Sequence, residues 1–348
     1  MNPFLNNCPL PGRQTDIITL EHGSGGLMMH RLVKNLVFEM LQDVMTGNGH
    51  DGAMLQVEGN IAFSTDSFVV KPLFFPGGNI GELAVNGTVN DVAMCGAVPQ
   101  YLSLSFILEE GFLLEQFKQV LLGVRNACLK AGVQVVTGDT KVVEHGKGDE
   151  LYINTSGIGK IHPKAAIGSA RVKPGNVLLL SGQLATHGTA VMCLREGLAF
   201  ETTIQSDTAA LNPLTTLLLD RLGSDIRFLR DPTRGGLATT LNELVAECGW
   251  GIEIEQAALP VHAQVEAACE LLGLDPLYVA NEGVFLAVVS PHVAAIALQL
   301  MQNHPLGKYA AIIGRISDEA EPLVLLRSKI GGTRVVHMLT GSQLPRIC

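Results

Sequence analysis

Four aspartates lie where a chain usually places chemistry, at the ends of apolar runs or beside glycine and threonine. They are Asp66 in Ser64-Thr65-Asp66-Ser67, Asp91 after Asn90, Asp139 in Thr137-Gly138-Asp139-Thr140-Lys141, and Asp231 in Arg230-Asp231-Pro232-Thr233-Arg234. Carboxylates spread over separate elements, with no His or Cys companions, suit Mg²⁺ held against nucleotide phosphates, because magnesium takes oxygen ligands in octahedral geometry. Capping or turn formation is the ordinary use of any one of them alone; four together point to a site. His22-Gly23-Ser24-Gly25-Gly26 and Thr233-Arg234-Gly235-Gly236 each precede a helical pattern. Backbone amides there could cradle a phosphate, with Arg234 meeting its oxygens. Neither stretch is a Walker loop, since no Gly-Lys-Ser/Thr follows at the required spacing.

Two further residues could handle charge and protons. Lys141 could offset charge on a transferring phosphoryl group. Glu282, in Ala280-Asn281-Glu282-Gly283, sits between apolar segments where burial would raise its pKa toward that of a usable general base. A solvated lysine and a turn glutamate are the plainer uses of both. The sequence closes on Pro345-Arg346-Ile347-Cys348. A thiol on such a tail can swing between sites, accept a small acyl group and carry it as a tethered substrate, or it is a leftover free cysteine.

Composition bounds what these residues can serve. A chain of 348 residues, 47 % hydrophobic and 16 % charged with 38 glycines, has core material for about two domains. Its 24 basic against 33 acidic residues, net −9 and with no run of like sign, argue against nucleic acid or an anionic membrane surface, which need clustered positive charge. The N-terminus has no basic segment or long apolar stretch, and no window reaches the ~20 apolar residues of a membrane span, so the expected compartment is the cytoplasm. The 7 cysteines are scattered without a CxxC pair, as reduced core residues would be.

Helical and strand periodicities alternate throughout, which predicts α/β or α+β layers. Leu27 to Met45, Gly81 to Cys95, Leu114 to Ala131 and Leu237 to Cys248 have helical spacing. Asn60 to Val70, Tyr101 to Leu108, Leu151 to Gly159, Val177 to Leu180 and Val284 to Val289 have strand character. The Pro- and Gly-rich stretch Lys160 to Gly175 predicts a domain boundary. The expected division is an extension over 1–17, a nucleotide-binding domain over 18–168, a second domain over 169–338, and a flexible tail over 339–348.

The strings Ser-Thr-Asp-Ser-Phe, Pro-Gly-Gly-Asn-Ile-Gly, Asn-Asp-Val-Ala-Met-Cys-Gly, Thr-Gly-Asp-Thr-Lys-Val-Val, Arg-Asp-Pro-Thr-Arg-Gly-Gly, Ala-Asn-Glu-Gly and Pro-Arg-Ile-Cys occur in that order from about residue 18 to the end. Together they resemble the HypE family of hydrogenase-maturation carbamoyl dehydratases, in the aminoimidazole-ribonucleotide synthetase (PurM-like) superfamily. The resemblance implies a mixed α/β N-terminal domain, an α+β C-terminal domain, and a homodimer whose paired N-terminal sheets help form the ATP sites. It implies that a HypF-type carbamoyltransferase loads a carbamoyl group onto Cys348. ATP then drives dehydration of this thiocarboxamide to a thiocyanate, and the cyanide passes to iron on a HypC–HypD complex for [NiFe]-hydrogenase. By motif match, Asp66, Asp91 and Asp231 fall to Mg²⁺–ATP, with Asn90, Asp139 and Thr140 close to the phosphates. Lys141 and Glu282 fall to the inserted tail, Glu282 as the base.

Selenophosphate synthetase and thiamine-monophosphate kinase share the scattered aspartates. The former typically carries a reactive Cys or selenocysteine in its N-terminal glycine-rich stretch, where His22 to Gly26 has none, and neither explains the terminal cysteine. A carrier that presents Cys348 and uses ATP only to move the tail is the non-enzymatic alternative.

Overall fold

Two sheets organise the chain in the computed structural model, which describes residues 16–46, 52–197, 204–318, 322–339, 341 and 347; Arg346, Cys348 and residues 1–15 lie outside them. The first sheet contains β1 (Ile61–Phe68), β2 (Ala97–Glu109), β3 (Gln134–Val143) and β4 (Leu151–Ile161), in the order β1-β4-β2-β3. β4 is antiparallel to both neighbours, while β2 and β3 run parallel. A parallel pair needs a crossover, which α2 (Leu114–Ala131) supplies before ending at the left-handed Gly132.

Alternation decides the faces of this sheet. Leu102, Leu104, Phe106 and Leu108 of β2 are buried, as are most residues of α1 (Ile80–Met94), which is capped by the Asn79 side chain on the Gly81 and Glu82 amides. The opposite face is open: Ile61 is 51 % and Phe63 63 % exposed, with Ile107, Asp139 and Lys141 exposed beside them. The helical stretch expected from Leu27 forms with a π-type turn at Val33–Val37.

A segment with one 3-10 turn, Ser169–Arg171, leads to the second sheet. Its strands are β5 (Val177–Leu180), β6 (Ile226–Arg230), β7 (Gly251–Glu255), β8 (Leu286–Val289), β9 (Ala311–Ser317), β10 (Val324–Arg327) and β11 (Thr333–Val335), ordered β11-β10-β7-β9-β5-β8-β6. Only β10 with β7 is parallel among these pairings. All four residues of β8 are buried because helices cover both faces. Leu286 and Val288 share a core with α3 (Thr186–Arg195), α5 (Gly236–Cys248) and α6 (Ala263–Leu272). Ala287 and Val289 share another with α4 (Asn212–Leu222) and α7 (Ala294–Gln302). Among the described residues no helix is long and apolar enough to cross a membrane.

Candidate active site

Three of the four aspartates converge at the junction of the two sheets. Asp66 comes from β1, Asp91 from the last turns of α1, and Asp231 from the residue after β6. Ser64 donates to Asp91 Oδ2 at 2.8 Å, and Arg234 stands 3.7 Å from Asp66. Desolvation raises the Asp91 carboxyl, with Asp66 adding to it and Ser64, Arg230 and Arg234 opposing. Desolvation first, and then the charge of Asp91, pushes Asp231 up to about 7. Carboxylates that raise one another in this way would be relieved by a cation. Among the described residues, however, no three His, Cys, Asp or Glu side chains lie close enough to cage an ion. Asp66, Asp91 and Asp231 therefore do not form a preformed three-ligand cage in the protein by itself. The oxygen-only donor chemistry still fits Mg²⁺, which keeps several waters and is usually bound through one or two carboxylates plus substrate phosphates.

Glu282 lies behind this group, 3 % exposed, with Oε1 lacking a hydrogen-bond partner among the described residues. Burial raises its pKa well above the ordinary value, followed by Asp231, Asp207, Asp66 and Asp91. Its loop is fixed from several sides. Asn281 accepts from the Ala185 amide at 2.7 Å and donates to the Pro232 carbonyl at 2.9 Å. The amides of Glu282 and Gly283 donate to Asp207 Oδ2 at 3.2 and 3.0 Å. Glycine is required at 283, since a Cβ there would fall 1.7 Å from the Asp207 carbonyl oxygen. Asp207 had no motif around it in the sequence. Its carboxyl, pushed up to about 6 by desolvation, is the principal support of the Glu282 loop that sequence reading missed.

Asn90, placed near the phosphates by motif match, makes hydrogen bonds between the two domains. It is 1 % exposed. Its amide nitrogen donates to the Ala209 and Glu282 carbonyls at 3.0 and 3.4 Å, and its oxygen accepts from the Leu211 amide at 2.8 Å. Asn90 thus clasps the two domains and backs the Glu282 loop.

Asp139, Thr140 and Lys141 lie apart from that junction. The register runs Asp66–Thr155–Leu104–Gly138 across the sheet, so β1 and β3 are opposite edges, roughly 14 Å apart at three strand spacings. Thr140 is buried on the inner face, while Lys141 pairs with Asp139 at 2.9 Å on the open face. Lys141 and Glu282, both expected at the inserted tail, lie apart within one chain, because edge and face both separate them. The glycine loop joins the Lys141 group instead: a Cβ on Gly23 would fall 2.7 Å from the Val142 nitrogen.

Cys348 lies outside the described residues, but its neighbour does not. Ile347 is 3 % exposed and belongs to the N-terminal core that also takes in Phe75, Val191, Ala210 and Ala280. Its carbonyl oxygen is 2.6 Å from His187 Nε2. Burying an isoleucine side chain contributes about 1.5–3 kcal/mol, and ordering each backbone residue costs about 1–2 kcal/mol. The hydrogen bond from His187 adds to that burial in holding Ile347 in place.

Comparison with known proteins agrees with this architecture. The family described as "AIR synthase related protein, N-terminal domain" matches residues 49–161, and the corresponding C-terminal domain family matches residues 173–325. A carbamoyl dehydratase HypE of Cupriavidus necator is 48 % identical over 333 residues, covering 95 % of each chain. A crystal structure of a hydrogenase maturation protein HypE in complex with ATP superposes with a TM-score of 0.91 at 43 % identity, covering 95 % of this chain and 99 % of that one. The HypE chain of a HypE–HypF complex superposes with a TM-score of 0.78 at 44 % identity, covering 90 % of this chain and 100 % of that one. With both sheets, both domain families and nearly the whole length in agreement, the chain belongs to the HypE family of carbamoyl dehydratases, within the PurM-like superfamily.

Proposed function

We propose that this protein uses ATP to dehydrate a carbamoyl group carried on Cys348, converting a thiocarboxamide to a thiocyanate during hydrogenase maturation. The observation that carries the reading is the buried Glu282 carboxyl, joined by one short segment to the seat of Ile347, the residue bonded to Cys348. An amide oxygen is a poor leaving group, so losing it as water requires its conversion to phosphate. The carbamoyl oxygen attacks the γ-phosphorus of ATP, ADP leaves, and the C–O bond then breaks as phosphate departs. Glu282, once deprotonated, takes one proton from the carbamoyl nitrogen, and the departing phosphate carries away the other as the C≡N bond forms. Arg234 and the carboxylates Asp66, Asp91 and Asp231 would orient a Mg²⁺–ATP complex. When bound, that ion would supply charge neutralisation on the phosphates.

Lys141 completes the site from a second copy of the chain. The open sheet face carrying Ile61, Phe63, Ile107 and Lys141 is the surface that a homodimer would cover, bringing the Lys141 edge of one chain to the acidic junction of the other. Mixing Lys141→Ala with Glu282→Gln protein tests this. Each alone is inactive, and a mixed population regains about a quarter of wild-type sites if half the dimers are heterodimers with one intact site each. No recovery after verified subunit exchange would place Lys141 in its own chain's site.

A HypF-type carbamoyltransferase as donor follows from the relative solved in complex with HypF, and a HypC–HypD complex is the proposed cyanide acceptor. The function itself is tested by adding ATP to carbamoylated protein. One ADP per chain in a single turnover is expected; continuous ATP hydrolysis without any change in the carbamoyl group would instead indicate a carrier that spends ATP on movement.

A further inference from the structure

We propose that His187 is the positioning residue that seats the loaded end of the chain, and that the strap 204–211 ties this seat to the Glu282 loop. The inference rests on the reading that Cys348 carries the reacting group. His187 belongs to α3, is fully buried, and packs its ring edge-on against Phe75 at 5.3 Å between centroids. Its two nitrogens face different partners: Nε2 meets the Ile347 carbonyl oxygen at 2.6 Å and Nδ1 meets Ser206 Oγ at 2.8 Å.

A carbonyl oxygen only accepts, so Nε2 bears the proton. In the neutral ring Nδ1 is then the acceptor, and the Ser206 hydroxyl donates to it. Ser206 Oγ in turn accepts from the Thr208 amide at 3.1 Å, which leaves the hydroxyl proton free to point at the ring. The chain of hydrogen bonds runs from Thr208 N–H through Ser206 O–H and His187 Nε2–H to the accepting Ile347 carbonyl, and one tautomer satisfies all of it. Burial, which holds the imidazole down to about 4, is consistent with that neutral form.

The strap makes this more than a local contact. Between Ser206 and Thr208 stands Asp207, which holds the Glu282 and Gly283 amides. Thr208 Oγ1 accepts from Asn86 of α1 at 3.1 Å, and the Ala209 carbonyl accepts from Asn90. Three consecutive residues therefore bind the tail seat, the candidate base and the helix that bears Asp91. The carbonyl that His187 holds also belongs to the peptide bond linking Ile347 to Cys348.

That same bond gives a direct test: in a protein prepared to end at Cys348 it is the first one a carboxypeptidase cuts. In full-length protein without ATP or a carbamoyl group, His187→Phe keeps a ring against Phe75 but loses the donor. Release of Cys348, followed by mass, should be ~10- to 100-fold faster than in wild type, the range for stranding a buried hydrogen-bonding group. The single-turnover dehydration rate should fall by a similar factor with KM for ATP unchanged. His187→Gln, which retains an N–H donor, should recover most of both. Ser206→Ala leaves the imidazole but frees its tautomer, and should speed release severalfold even if the phenylalanine variant folds poorly. Release at the wild-type rate in all three variants overturns the proposal. Faster release in the variants with no dehydration by the wild-type protein would uphold the seat and overturn the dehydratase reading.

Discussion

Glu282→Gln is expected to slow single-turnover dehydration by about 10²–10⁴-fold, the range for removing a general base, while ATP binding and carbamoylation persist. The substitution is nearly isosteric, and the loop is held by backbone and neighbouring side chains rather than by the Glu282 carboxylate. The raised pKa of Glu282 also fixes two signs. A base acts when deprotonated, so the wild-type rate should climb as pH rises through the raised value, and the glutamine variant should lose that limb. For stability, a carboxyl whose folded pKa exceeds its unfolded value, about 4.3, costs nothing below that value and progressively destabilises as pH rises through the folded pKa. Removing the charge lifts this cost. The variant should therefore melt at or above the wild-type temperature at pH 8, with circular dichroism as the readout. A variant that melts lower and loses ATP binding would assign Glu282 to structure instead.

Cys348→Ala should abolish carbamoyl acceptance altogether and still bind ATP. The described cysteines are poor substitutes, because burial raises the thiols of Cys95, Cys193, Cys248 and Cys269, and pushes Cys128 up to about 12. At neutral pH only roughly one Cys128 in 10⁵ would be thiolate, the form that attacks. Intact-mass measurement after incubation with a carbamoyl donor and its transferase decides the matter. A gain of one carbamoyl group on the alanine variant, mapped to another cysteine, would show that the tethered substrate is elsewhere.

The fold was legible where periodicity was strong. Leu114–Ala131 alternates apolar and polar faces at helical spacing and forms as read, while Val284 to Val289, an unbroken apolar run, yields a strand covered on both faces. Candidate acids stand out in the sequence where one is followed by proline or glycine, as at Asp231-Pro232 and Glu282-Gly283. What escaped was what only tertiary packing creates. Asn90 stands beside Asp91 in sequence, yet successive helical residues point about 100° apart, so one faces the junction and the other clasps the neighbouring domain. His187 and Asp207 have ordinary neighbours in sequence and become informative only when the strap brings them to Ile347 and Glu282. Lys141 is expected with Glu282 at the inserted tail, and the strand order puts it on the far edge of its own sheet.

The central claim is that water is removed from a group tethered to this chain. The most direct measurement is the intact mass of the carbamoylated protein before and after one turnover with Mg-ATP. The account predicts a loss of ~18 Da, the oxygen leaving in phosphate and the sulfur remaining attached to the new nitrile, with one ADP formed per chain. An unchanged mass while ADP accumulates would contradict it.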